Sequence, residues 1–139
     1  MAANAELVRE MLDIFNRSGA EAAIEFGLSP GCVWHPAPEW PGKPLYEGRE
    51  GALEIVAEWT SSFDDYRWEA DEIREVGDRV LTLVHHRGTS HGTRITAPVA
   101  AVWRLEAGAV VEAWFFFSWD EARRAVDPET AVADGPTGR

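Results

Sequence analysis

The sequence predicts an α+β fold in which three N-terminal helices precede a long, curved antiparallel sheet. In the first half of the 139-residue chain, apolar residues recur at helical spacing over three segments. In the second half, four runs rich in Val, Thr, Leu, Ile, Trp and Phe are separated by turns that contain Gly. A sheet that wraps around helices encloses a cone, so we expect an apolar pocket at its open end.

Three amphipathic segments are predicted to be helices: residues 5–17, 20–26 and 49–62. Asn4 is a candidate N-cap of the first helix, and Gly19 can end that helix. Residues 29–31 have the sequence Ser-Pro-Gly, which is typical of turns. We therefore expect the chain to change direction there, before a short strand at residues 32–34.

Four runs in the second half have the length and spacing of an antiparallel meander: residues 66–76, 79–89, 94–105 and 110–119. Asp120 is a candidate N-cap for a short closing helix after the last strand. The chain length suits one domain, which we place at residues 1–126. Residues 127–139 are rich in Pro, Gly, Ala and Asp, and we expect them to form a loose C-terminal tail.

The composition indicates which partners and compartments to expect. Thirteen Lys and Arg against 24 Asp and Glu give a net charge of −11, which disfavours binding to nucleic acid and to anionic membranes. The single Cys32 cannot form an intrachain disulfide, and no secretion leader is visible. The apolar runs are also shorter than the roughly 20 residues of a membrane helix. We expect a soluble, cytoplasmic protein with neither a nucleic-acid nor a membrane partner.

His35 is the first candidate for chemistry, because it follows an apolar run and precedes a proline-rich loop. An imidazole titrates near neutral pH and can give or take a proton from a ligand held in an apolar pocket. The alternative is that His35 only hydrogen-bonds a backbone carbonyl of the loop. Tyr46, at the end of the same loop, can supply a hydroxyl donor.

His86 is the second candidate, because strand alternation directs its side chain inward and that of His85 outward. The same alternation keeps the two adjacent imidazoles from sharing one ion, so we expect no metal site. No phosphate-binding glycine loop or Cys/His ligand spacing is present in the sequence, and we expect no cofactor.

Five short motifs occur in an order that resembles the nuclear-transport-factor-2-like superfamily, and within it the SnoaL-like and ketosteroid-isomerase-like branch. They are FNRSG at 15–19, VWHP at 33–36, YEGREG at 46–51, VGDRV at 76–80 and VWRL at 102–105. The resemblance implies a cone-shaped fold with a deep apolar pocket, and usually a dimer through the outer face of the sheet. Members include isomerases, cyclases, hydrolases and non-catalytic binders, so the fold alone does not define the function.

The resemblance also carries implications for single positions. In ketosteroid isomerases a general-base carboxylate ends the first strand just before a Pro, and that position matches His35 here. The two hydrogen-bond donors of those enzymes match Met11 and Ala100 or Ala101, which cannot donate. We therefore do not expect ketosteroid isomerase activity itself. The residues predicted to contact a ligand in the pocket are Met11, Phe15, Glu39, Trp40, Trp59, Trp103, Phe115 and Phe117.

Alternation along the last strand directs Ala113, Phe115 and Phe117 inward, and Trp114 and Phe116 outward. Large apolar residues on an outer face indicate an interface, so we expect a homodimer. The function that fits best is cofactor-free acid–base chemistry on a small hydrophobic molecule, with His35 assisted by Tyr46 or His86. The alternatives are a non-catalytic small-molecule-binding protein and a dimeric interaction module whose pocket is filled by its own side chains.

Overall fold

The computed structural model describes residues 3–126, and within them four helices accompany one six-stranded sheet. The helices are α1 (Ala3–Ser18), α2 (Ala20–Gly27), α3 (Gly48–Thr60) and α4 (Trp119–Val126). The strands are β1 (Leu28–His35), β2 (Tyr46–Glu47), β3 (Asp64–Val76), β4 (Arg79–Ser90), β5 (Thr93–Glu106) and β6 (Ala109–Phe116). The α+β class is confirmed, whereas the predicted tail at 127–139 lies outside the described residues.

The strand order in the sheet is β2-β1-β6-β5-β4-β3. Strands β3 to β6 form the predicted antiparallel meander. Strand β1 adds to the other side of β6 in parallel, with Trp34 beside Ala113 and His35 beside Trp114. The two-residue strand β2 then pairs antiparallel with β1, so that Tyr46 lies opposite Trp34. The end of β1 is therefore held between two neighbours.

The prediction of a turn at residues 29–31 is wrong, because β1 already begins at Leu28. The pairing of β1 with β6 is irregular between Leu28 and Val33. Such an irregularity can accommodate Pro30, which has no N–H to donate to a neighbouring strand.

Two predicted helix caps are also corrected. Asn4 lies inside α1, and the backbone N–H of Ala5 instead donates to the Glu75 carboxylate of β3, with 2.9 Å between N and Oε1. At α4, Ser118 rather than Asp120 takes the capping position, because its hydroxyl accepts the backbone N–H of Glu121 at 3.2 Å. The predicted end of α1 is confirmed, since the helix ends at Ser18 and Gly19 follows with a φ of 98°.

The two faces of the sheet have separate apolar clusters. On the inner face, Val8 of α1, Ile24 of α2 and Ile55 of α3 belong to one buried core with Ala101 and Phe115 of the sheet. None of the described helices has the length and apolar character needed to cross a membrane.

The outer face is partly covered by α4. Its buried side chains belong to a second cluster with the outward residues of β4 and β5: Leu81, Leu83, Ala100, Val102, Ala122 and Val126. Trp114 and Phe116 pack against this cluster, as expected from their predicted outward orientation. Ala100 or Ala101 was matched to a hydrogen-bond donor of ketosteroid isomerases. Of these two residues, Ala101 faces the inner core and Ala100 faces outward.

Candidate functional site

Two small apolar cavities lie on the inner face of the sheet. The first has a volume of about 30 Å³ and is bordered by Trp59, Tyr66 and other residues of α3 and β3. The second has a volume of about 50 Å³ and is bordered by residues of α1, α2 and the sheet. One water needs roughly 10–15 Å³, whereas pockets for drug-sized ligands measure about 300–1,000 Å³. A ligand of that size therefore requires movement of the aromatic walls. No charged residue lines either cavity.

Four side chains border both cavities: Trp34, Val56, Trp68 and Phe115. Trp34 is central to this dividing wall, with its ring centroid 5.8 Å from that of Trp103 and 4.9 Å from that of Phe115. Its side chain is buried, and its indole Nε1 has no hydrogen-bond partner among the described residues. An unpaired buried donor of this kind costs about 1–3 kcal/mol.

A polar cluster of three side chains, which we call the rim cluster, lies beside the first cavity: Trp59, Tyr66 and His86. The Trp59 indole N–H donates to His86 Nδ1 at 3.1 Å, and the Tyr66 hydroxyl lies 3.2 Å from the same nitrogen. Because an indole N–H can only donate, we assign His86 as the tautomer with an unprotonated Nδ1 and a proton on Nε2. Trp59 and Tyr66 line the cavity, so this nitrogen lies directly behind its wall.

Burial shifts the pKa values of the two titratable groups of the rim cluster, His86 and Tyr66, in opposite directions. Burial lowers the pKa of His86, and the nearby His85 lowers it further. Burial raises the pKa of the Tyr66 hydroxyl far above its usual value. Near neutral pH, the rim cluster therefore combines a neutral imidazole that accepts with a protonated hydroxyl that donates.

The pairing of β3 with β4 confirms the predicted inward orientation of His86, which lies opposite Trp68. His85 lies on the outer face, as predicted, where its Nδ1 is 2.8 Å from Asp71 Oδ1 and its ring contacts that of Trp119. Among residues 3–126, no group of three or more His, Cys, Asp or Glu side chains could hold a metal ion.

His35 does not face the cavities, so its predicted orientation is wrong. Its Nε2 lies 2.7 Å from Glu112 Oε2 on the outer face, and its ring stacks on Trp114 with centroids 5.4 Å apart and planes within 6°. The cause is the alternation of β1, which directs Trp34 inward and the next residue outward. The alternative partner, a loop carbonyl, is replaced by the Glu112 carboxylate.

Glu112 joins His35 to Arg104, whose guanidinium donates to Glu112 Oε1 at 3.1 Å. Burial raises the pKa of the Glu112 carboxyl, but the hydrogen bonds from His35 and Arg104 outweigh this effect and lower it. This group is a partly exposed ion network, and it lies on the opposite side of the sheet from the rim cluster.

Tyr46 is buried, but its hydroxyl does not reach either cavity. It donates to Glu58 Oε1 at 2.7 Å and accepts the Trp40 indole N–H and the Lys43 backbone N–H, each at 3.0 Å. These contacts attach the proline-rich loop to α3. The predicted orientation of Tyr46 toward a ligand is therefore corrected.

Most of the predicted ligand-contacting residues do border an apolar space: Met11, Phe15 and Trp103 the second cavity, Trp59 the first, and Phe115 both. Three do not. Trp40 stacks on Trp59 at 5.2 Å, and Phe117 contacts the Trp59 ring at 5.7 Å while remaining 38 % exposed. Glu39 is exposed in the loop.

With this geometry in place, the family of the chain can be assigned. Residues 8–113, more than half of the sequence, match the model of the SnoaL-like domain family. The chain belongs to the SnoaL-like domain family. No curated protein is significantly similar to it in sequence.

Solved structures show the same fold. An NTF2-like protein of unknown function from Burkholderia pseudomallei K96243 is 23 % identical, with a TM-score of 0.73 over 91 % of this chain and 98 % of its own. A candidate SnoaL-like polyketide cyclase from Jannaschia sp. CCS1 is 18 % identical, with a TM-score of 0.72 over 90 % and 92 %. TerC, crystallised with polyporic acid, is 20 % identical, with a TM-score of 0.72 over 89 % and 97 %. Identities this low establish the fold alone.

In this SnoaL-like domain, three site residues were missed from the sequence: Trp34, Tyr66 and Glu112. Two of them carried a usable signal. Extending the strand alternation from the buried Cys32 places Trp34 inward, and Tyr66 begins a predicted strand on the face that it shares with Trp68. Glu112 had no such signal, because its contact with His35 depends on the parallel pairing of β1 with β6.

Proposed function

We propose that this SnoaL-like domain is a cofactor-free acid–base enzyme that acts on a small hydrophobic molecule. His86 is the proton acceptor in this proposal, and Tyr66 is the hydrogen-bond donor. The observation that carries it is the rim cluster, which joins a neutral imidazole to a buried hydroxyl at the wall of an uncharged cavity. The fold shared with a candidate polyketide cyclase supports this reaction class.

The reaction begins with a carbonyl compound in the first cavity. A C–H bond next to the carbonyl breaks, its proton passes to His86 Nδ1, and its electron pair moves toward the carbonyl oxygen. The Tyr66 hydroxyl stabilises the negative charge on that oxygen by donating a hydrogen bond. Return of the proton from His86 to the same carbon completes an exchange. When the ligand has a carbon–carbon double bond between its β- and γ-carbons, return of the proton to the γ-carbon shifts that double bond and completes an isomerisation, without any oxidant, reductant or cofactor.

The rim cluster also sets a requirement for this reaction. The Trp59 N–H now occupies the lone pair of His86 Nδ1, and the Trp59 ring forms part of the cavity wall. A ligand must displace Trp59 to gain both space and access to this nitrogen. The Trp59 ring also stacks on Trp40, which does not line the first cavity.

A second candidate function is that of an interaction module whose interior is filled by its own aromatic side chains and which pairs as a homodimer through the outer sheet face. The small volume of the two cavities favours it. A non-catalytic binder of small hydrophobic molecules is intermediate between the two, since it requires the same opening of the cavity but no proton transfer.

The proposed enzyme activity is tested by solvent exchange on a simple ring ketone. Protein in D₂O is mixed with 2-indanone, and deuterium entry next to the carbonyl is followed by proton NMR. We expect the wild type to accelerate this exchange, and His86→Gln to reduce the acceleration about 100-fold or more, as is typical for loss of a general base. His85→Gln is the matched control, because it removes the neighbouring imidazole on the opposite face and should retain the wild-type rate. Equal rates for His86→Gln and the wild type would contradict the proposal.

A further inference from the structure

The indole N–H of Trp34 stands apart from comparable groups in the same core. Trp103, whose ring packs against Trp34, donates its N–H to the Thr82 hydroxyl at 3.0 Å. Trp59 donates to His86, and Trp40 to Tyr46. Trp34, at 6 % exposure, is buried like Trp103 and more enclosed than the half-buried Trp59 and Trp40, but its N–H has no acceptor within the described chain.

The neighbours of Trp34 explain why no acceptor is available. Its ring contacts are with Trp103 and Phe115, and its partner in β6 is Ala113, none of which has a side-chain acceptor. Across β2 it lies opposite Tyr46, whose hydroxyl already makes three hydrogen bonds. Packing alone does not require the donor, because a phenylalanine ring would fill much of the same wall without it.

The location of Trp34 indicates what could satisfy this donor. Trp34 is part of the wall that divides the two cavities, and a ligand large enough to join them must pass along this side chain. Its indole nitrogen is enclosed in the present structure, so the opening that admits such a ligand must also expose the N–H. Inside such a ligand complex, an indole N–H without a partner is a strong selector for an acceptor atom.

We propose that Trp34 is a specificity-determining residue, whose indole N–H binds an uncharged carbonyl oxygen of the ligand. This inference rests on the proposed function, because it concerns the same cavities. The oxygen is uncharged because no cationic side chain lines either cavity to offset a buried carboxylate. A carbonyl is favoured over an alcohol because an alcohol brings its own O–H, for which the dividing wall offers no free acceptor.

Binding to Trp34 would also determine where a carbonyl compound lies relative to the rim cluster. Trp34 and Tyr66 line the same first cavity, with His86 directly behind its wall. A carbonyl compound bound to Trp34 is thereby held in the space beside the proton acceptor. Trp34 selects and orients the ligand, while the proton transfer belongs to the rim cluster.

The test compares two ligands of similar size, 2-indanone and indane, which differ in the carbonyl. Their affinities are measured by titration for the wild type and for Trp34→Phe, which keeps a ring and removes the N–H. We expect Trp34→Phe to weaken 2-indanone binding about tenfold more than indane binding. Because each ligand is compared with itself between the wild type and Trp34→Phe, its own hydration cancels from the double difference. Equal weakening of both ligands, or of neither, would overturn the assignment of Trp34.

Trp103→Phe is the matched control, because its N–H already bonds Thr82 and its ring lines only the second cavity. It should change both affinities by similar factors. A second readout uses only the wild-type protein. The indole N–H signal of Trp34 in its ¹H–¹⁵N spectrum should move downfield when 2-indanone is added and should not move with indane. The assignment of that signal comes from its loss in Trp34→Phe, or from selective labelling if the variant does not fold. An unmoved signal at saturating 2-indanone contradicts the inference.

The outcomes separate this inference from the proposed function. If neither compound binds the wild type, small-molecule binding fails and the role of Trp34 fails with it. If both bind and Trp34→Phe does not discriminate between them, only the role of Trp34 is lost. If Trp34→Phe discriminates but solvent exchange is independent of His86, the domain is a carbonyl-binding protein without acid–base activity.

Discussion

The two faces of the sheet each hold a histidine in a defined set of contacts, and the contrast between them indicates where chemistry is possible. On the outer face, His35 pairs with the Glu112 carboxylate and stacks on Trp114. On the inner face, His86 accepts a hydrogen bond from the Trp59 indole and contacts the Tyr66 hydroxyl beside an apolar cavity. The first arrangement stabilises a surface ion network. The second leaves an uncharged base next to a space that can exclude water.

The same contrast applies to the two tyrosines. The Tyr46 hydroxyl is fully used by Glu58, Trp40 and Lys43, whereas the Tyr66 side chain lines the first cavity and its hydroxyl contacts His86. A residue type that suits catalysis is therefore not sufficient. The side chain must also lie beside a space that a ligand can enter.

A large difference is expected between variants of the two tyrosines. Tyr66→Phe removes the donor that stabilises the developing oxyanion, and it should slow 2-indanone exchange about 100-fold. Tyr46→Phe should leave the exchange rate near that of the wild type but lower the free energy of unfolding by about 1–3 kcal/mol, because it leaves buried partners unpaired. Exchange assays and urea denaturation of both variants provide the measurement. Slow exchange in Tyr46→Phe together with a wild-type rate in Tyr66→Phe would show that the Tyr46 hydroxyl is the reactive one.

The pH dependence of exchange sharpens the assignment of the base. Only neutral His86 can accept a proton, and burial lowers its pKa below the ordinary value of 6.5. The rate should therefore reach a plateau on the alkaline side of a midpoint that lies below pH 6.5, and should fall about tenfold per pH unit once the pH is well below that midpoint. The measurement is the exchange rate between pH 4.5 and 8, corrected for buffer catalysis. A midpoint at or above pH 6.5 would be inconsistent with a buried, neutral His86.

The smallest effect is expected on the outer face. Glu112→Gln should lower the free energy of unfolding by about 0.5–1 kcal/mol, since the ion network is partly exposed. Because the folded-state pKa of Glu112 is lowered, this contribution is present above about pH 4.5 and is lost as the pH falls through the lowered pKa.

Glu54→Gln is the control for this stability measurement, because the Glu54–Lys43 pair is more exposed and should contribute less. Urea denaturation at pH 7 and at pH 3.5 measures both variants. A Glu112→Gln difference that grows at low pH has the wrong sign for this account.

Much of the fold follows from local sequence patterns. Helical spacing located α1 and α3, and alternation along β6 correctly placed Ala113 and Phe115 inside and Trp114 outside. The same rule placed His86 inside, because β4 is a long strand paired on both sides. Patterns of this kind record which face of an element is buried, and burial is what they predict well.

The errors come from contacts between segments distant in the sequence. Nothing near residues 28–35 records that this strand pairs in parallel with β6, so the extent of β1 and the contact of His35 with Glu112 were not predicted. The family resemblance located a position of interest but not the orientation of its side chain. The Tyr46 contacts were missed for a related reason, since they require the loop to fold back onto Glu58 of α3.

The most direct test of the central claim compares the two histidines in one assay. The rate of deuterium entry into 2-indanone is measured for the wild type, His86→Gln and His35→Gln under identical conditions at neutral pH. The account predicts a loss of about 100-fold or more for His86→Gln and a rate within about twofold of the wild type for His35→Gln. A large loss in His35→Gln with full activity in His86→Gln would place the chemistry on the outer face and contradict the account.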